Sequence, residues 1–147
     1  MKMMVYPNIK DPVEVPEGTP SGTLFVCVDN TFGKGIVDSM TKKPVSIEDC
    51  ARGYWTRANL AAAHADQCDW LMARLHGKIE GVWKIDRQKG WMDSSATPKK
   101  TWPSDRPKDC PRAGCELISD EEMAQKFIGR DVHLGRCPNT LRGYFKM

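Results

Sequence analysis

The chain has 147 residues, of which 40% are hydrophobic and 28% charged, with a formal net charge of +3. That is one domain's worth of sequence, long enough to bury a core without disulfide staples. No apolar run approaches the ~20 residues that span a bilayer, and Met1–Pro7 lacks the apolar centre of a secretory signal. A cytoplasmic location is therefore the expectation.

Pro7, Pro12, Pro16 and Pro20, with acids between them, predict an extended N-terminal arm over residues 1–21. A single domain then occupies 22–147. Thr23 to Val28 is a β-rich apolar run long enough for a buried strand. Ser46 is placed to cap a short helix reaching about Trp55, and Thr56 to cap the next, from Arg57 to about Gln67. Asp69–His76 and Ile79–Asp86 read as two strands joined by a turn at Gly77-Lys78, a hairpin. Strict alternation on the second strand puts Ile79, Gly81, Trp83 and Ile85 on one face. Residues 87–112 form an irregular basic stretch with four prolines. Cys115–Ile118 is a candidate strand. Ser119 and Glu122 form a capping box for a helix ending near Ile128, with Gly129 as its C-cap. Leu141–Phe145 is the last strand. Strands are short and outnumber helices, which predicts an α+β domain built on a small, partly closed barrel with short flanking helices.

The charge is uneven, −2 over residues 1–50 and +5 over 51–147. Such a gradient suits an anionic partner. The most informative stretch is Ala51-Arg52-Gly53-Tyr54-Trp55-Thr56-Arg57, two cations and two aromatic rings within seven residues. A ring beside a guanidinium stacks a nucleobase and neutralises its phosphate. Leu141-Arg142-Gly143-Tyr144-Phe145 nearly repeats this chemistry, so the function depends on whether the two stretches meet. The candidate nucleic-acid contacts are Arg52, Tyr54, Trp55 and Trp91 for bases, Arg57, Lys84 and Arg142 for phosphates, and Asn139 for a base edge. The structural alternative puts Tyr54 and Trp55 in the core and pairs Arg52 with Glu48 or Asp49. Trp83 is expected in the core. The other spaced lysines and arginines read equally as a solvated face.

Together, the Arg52-Gly53-Tyr54-Trp55 block, Cys68–Ala73, Gly77–Ile85, Lys126–Val132 and Pro138–Tyr144 resemble an uncharacterised group of bacterial and phage PUA-like domains. That group is related to PUA, ASCH, EVE and YTH domains. The resemblance spans residues 22–146 and implies a small β-barrel with helices at its openings. It also implies binding of RNA or DNA, with a modified or flipped base held in an aromatic and basic pocket, and a mobile-element setting. The long insertion at 93–112 departs from the pattern.

Six cysteines without a secretory signal read as reduced thiols or metal ligands. Cys110-x4-Cys115 and His133-x3-Cys137 supply a donor set that would suit tetrahedral Zn²⁺. The favoured expectation is nonetheless no cofactor. A protein-interaction adaptor, with or without zinc, is the alternative function. An ASCH-like ribonuclease is the third, although no phosphate-binding glycine loop or His-Glu-x-x-His motif supports an enzyme.

Overall fold

Two short strands, β1 (Lys2–Met4) and β2 (Val13–Val15), pair antiparallel near the N-terminus, with Lys2 opposite Val15. The structure is a computed structural model that describes residues 2–4, 13–29, 32–33, 43–53, 55–93, 112–133 and 141–145. Strand β3 (Thr23–Cys27) is buried along nearly its whole length, as a run apolar on both faces requires.

The Ser46 hydroxyl caps α1 (Ile47–Arg52) by accepting from the Asp49 amide at 3.1 Å. The helix stops three residues short of Trp55 because Gly53 takes an extended backbone. Trp55 instead opens a two-residue strand, β4 (Trp55–Thr56). Thr56 then caps α2 (Arg57–Ala62) through a 3.2 Å bond from the Asn59 amide. His64, in the left-handed region, ends that helix, and a 3₁₀ turn covers Ala65–Gln67.

The hairpin forms as expected between β5 (Trp70–Leu75) and β6 (Lys78–Ile85). The turn falls one residue earlier than the expected Gly77-Lys78, at His76 and Gly77, while Lys78 already opens β6. His76 and Gly77 both have positive φ, the backbone of the tightest hairpin turns. Two more short strands follow, β7 (Met92–Asp93) and β8 (Arg112–Gly114), then β9 (Leu117–Ser119), α3 (Glu121–Phe127) and β10 (Leu141–Tyr144). The cap of α3 is Asp120, whose carboxylate accepts from the Met123 amide. Ser119 was the expected cap, but it is held in β9 opposite Trp83, so the first residue beyond the ladder takes the role.

Five strands make a mixed sheet in the order β10-β3-β5-β6-β9, parallel only between β3 and β5. A smaller sheet has the order β4-β8-β7. The α+β class is as expected, but the described residues form no closed barrel. The reason lies in what covers the large sheet. One face, with Leu24, Val26, Leu71 and Ile85, packs on α1, α2 and β8 through Cys50, Ala51, Leu60 and Ala113. The other, with Phe25, Met72, Ile79, Val82 and Tyr144, packs on α3 and β2 through Phe127 and Val15. A sheet covered on both sides buries its apolar faces without curling onto itself.

One expected alternation is overturned. Register slips between Ala73 and Arg74, which oppose Gly81 and Ile79, so Glu80 is an extra residue in β6. A bulge of one residue switches the faces beyond it. Ile79 therefore joins Val82 in one core, while Trp83 and Ile85 pack on the other.

Burial pushes the thiols of Cys68 and Cys115 up from 9.0 to about 12. Both groups release their protons more readily in the unfolded chain, so their contribution to stability is complete below about pH 9 and is lost as pH rises towards 12. Iodoacetamide at neutral pH is expected to leave both cysteines unmodified in the folded protein and to label both in denaturant, as read by peptide mass spectrometry. Labelling of either thiol in the native protein would contradict its place in the core.

Candidate nucleic-acid interface

The small sheet gathers three of the expected contact residues. Trp55 pairs with Ala113 of β8 on one side, and Asp93 of β7 pairs with the same residue on the other. Trp91 directly precedes β7, and Arg57 directly follows β4, so the three converge although 34 positions separate Arg57 from Trp91. The Arg57 guanidinium, exposed to solvent, donates to the Trp91 carbonyl at 3.5 Å.

Both indoles are half-buried against the core beneath α1 and α2. Each ring N–H is tied to a backbone carbonyl, Trp55 to Ala51 at 2.9 Å and Trp91 to Ala65 at 3.2 Å. Burying part of a large ring and satisfying its polar atom fixes the ring plane, which lowers the entropy lost when something stacks on it. The arrangement is two half-buried indoles of fixed orientation, with the Arg57 guanidinium held at the Trp91 backbone.

The other expected contacts lie elsewhere. Arg52 is 6% exposed, and its guanidinium binds the Asp49 carboxylate at 2.8 Å, approaches Glu116 at 3.7 Å and donates to the Cys115 carbonyl at 3.4 Å. This is the pairing with Asp49 that the helix spacing offered as the structural alternative. Lys84 is exposed on β6 between Trp70 and Ile118, on the side of the sheet that carries α3. Arg142, opposite Phe25, is buried on that same side. The two Arg-Gly-aromatic stretches therefore present their arginines to different surroundings, and the second packs not on the first but on the end of α2, with Gly143 against the Ala63 carbonyl. Tyr54 and Asn139 lie outside the described residues.

Of the four candidate zinc ligands, Cys110 and Cys137 are outside the described residues. Cys115 is buried in the core under α1, whereas His133 follows Val132 of the opposite core and pairs with Glu14 of β2. The sheet lies between them. Among the described residues no group of three or more His, Cys, Asp or Glu is placed to hold a metal ion. No helix among them is long and apolar enough to cross a membrane.

The convergence of Trp55, Arg57 and Trp91 had no signal in the sequence beyond residue type, since it depends on strands only two residues long. Comparison with protein-family models, with curated proteins and with solved structures finds no match to this chain.

Proposed function

We propose that the chain is a cytoplasmic nucleic-acid-binding module whose contact surface is the small sheet with its two indoles and Arg57. The observation that carries this reading is the pair of half-buried indoles gathered at the small sheet, each anchored through its N–H, with the exposed Arg57 guanidinium donating to the Trp91 carbonyl. Base stacking on such platforms contributes about 1–3 kcal/mol per base and tolerates any sequence. The excess of +5 over residues 51–147 supplies the long-range attraction. The PUA-like relation belongs to the same proposal, supported by the order of the sequence blocks.

The test is fluorescence anisotropy with labelled single- and double-stranded RNA and DNA at two salt concentrations. Binding to one class that weakens steeply with salt is expected. Arg57→Glu should weaken it at least about tenfold, since each 1.4 kcal/mol is a decade. The same exposed substitution should change stability by no more than about 0.5 kcal/mol. Absence of binding to all four probes would overturn the proposal. Shortening of the RNA during the titration would replace binding with the ribonuclease reading.

A further inference from the structure

We infer, resting on that functional reading, that His64 is a positioning residue of the nucleic-acid surface: its ring ties the end of the second Arg-Gly-aromatic stretch to the turn that holds Trp91. Helix α2 is capped at Ala63, and the chain reverses at His64 with φ 53° and ψ 43°. Glycine is the usual residue at such a helix end, because a Cβ in the left-handed region crowds the following carbonyl oxygen. Among the described residues the other non-glycine with positive φ is His76, in the hairpin turn. A glycine at 64 would follow the same path with less strain. What histidine adds there is its ring.

Phe145 and Gln67 grip that half-buried ring. It meets Phe145 edge to face, with centroids 6.4 Å apart and planes at 81°. Its Nδ1 lies 3.5 Å from the Gln67 Nε2. Phe145 ends the Leu141–Phe145 stretch and Gln67 ends the 3₁₀ turn, so one ring spans from β10 to that turn. The backbone continues the link, since the His64 carbonyl accepts from the Gln67 amide at 3.0 Å.

The first residue of the turn is Ala65. Its carbonyl accepts both the Cys68 amide, at 3.1 Å, and the Trp91 indole N–H, at 3.2 Å. The direction of that carbonyl sets the direction of the Trp91 ring. Ala65 and Cys68 secure the inner side of the turn in the core, while His64 and Gln67 secure its outer side. The C-terminal stretch thus serves the surface through a relay of contacts, from Phe145 to His64, then Ala65, then Trp91. A ring fixed in advance loses less entropy when a base stacks on it.

The test is fluorine NMR of the full chain grown on fluorotryptophan, with the Trp91 signal assigned from Trp91→Phe, alongside anisotropy with the labelled RNA and DNA probes. His64→Gly is expected to melt close to the wild-type temperature, because relief of the left-handed backbone offsets the lost ring contact. Its Trp91 signal should move towards that of the unfolded chain, and affinity for the probe that binds should fall about fivefold. Phe145→Leu, which removes the facing ring, should move the same signal. His76→Gly relieves the same backbone strain in the hairpin and should change neither the signal nor the affinity. Should His64→Gly not fold, His64→Asn gives the same readout, since asparagine tolerates the left-handed backbone and lacks the ring. A Trp91 signal unmoved in a folded His64 variant, or moved equally by His76→Gly, would overturn the proposal. A moved signal with no binding of any probe would instead support the positioning of Trp91 and overturn the nucleic-acid reading alone.

Discussion

Replacing Gly143 with alanine is expected to be the most damaging single methyl group that can be added to this protein. Strand β10 passes directly beneath the end of α2, and a Cβ at Gly143 would be driven into the Ala63 carbonyl, with the Phe145 ring 2.9 Å away. The obstacle is backbone on a helix end that is itself packed in the core through Leu60 and Ala63. Relief requires moving either the helix or an edge strand fully buried along its length. Overpacking of this kind costs about 3 kcal/mol at the upper end of its usual range. For a chain of this size that corresponds to a fall in melting temperature of roughly 10 °C. Gly81→Ala is the comparison, because its obstacle is the Trp83 ring, a half-exposed side chain that can swing aside. Thermal unfolding of the two variants should show the larger loss at Gly143. A reversed order would contradict the packing of β10 against α2.

Arg52→Ala is expected to rank next, and the expectation bears on function. The Arg52 guanidinium joins α1 to the connection between β8 and β9, bonding Asp49 on its own helix and the Cys115 carbonyl across the gap. The backbone repeats the link, with the Cys115 amide donating to the Arg52 carbonyl at 3.0 Å. Removing the side chain leaves Asp49 and Glu116 facing one another without their cation and strips a partner from a buried carbonyl. Truncating one member of a buried ion pair costs about 3–5 kcal/mol. Asp49 and Glu116 retain some contact with solvent, which places the expected loss at the low end, about 3 kcal/mol. Arg52→Lys should recover only part of it, because an ammonium cannot serve carboxylate and carbonyl with the geometry of a guanidinium. A base-contacting Arg52 would behave differently: its alanine variant would bind nucleic acid poorly and melt like the wild type. Unchanged melting would contradict the clamp described here.

Local chemistry was legible in the sequence wherever one or two neighbours decide the outcome. Ser46 and Thr56 cap the helices they precede, Gly129 takes a left-handed backbone after α3, and the 70–85 hairpin forms around a turn of two positive-φ residues. The pairing of Arg52 with Asp49 was equally visible, as an i,i+3 contact on a short helix. What remained hidden depends on distant strands. The Glu80 bulge is a matter of how β6 registers on β5, and no residue type in Lys78–Ile85 announces it. Among the described residues the sheet is open rather than barrel-like, which follows from helices on both faces, a property of the assembled layers. The gathering of Trp55, Arg57 and Trp91 depends on two strands of two residues each, below the length at which alternation carries information.

The measurement that tests the central claim most directly is photo-cross-linking of the protein to a halogenated or thio-substituted oligonucleotide, with the attached peptides identified by mass spectrometry. Cross-links are expected at Trp55, Arg57 or Trp91, the residues gathered at the small sheet. Cross-links confined to β6, β9 and α3, or none at any oligonucleotide concentration, would contradict it.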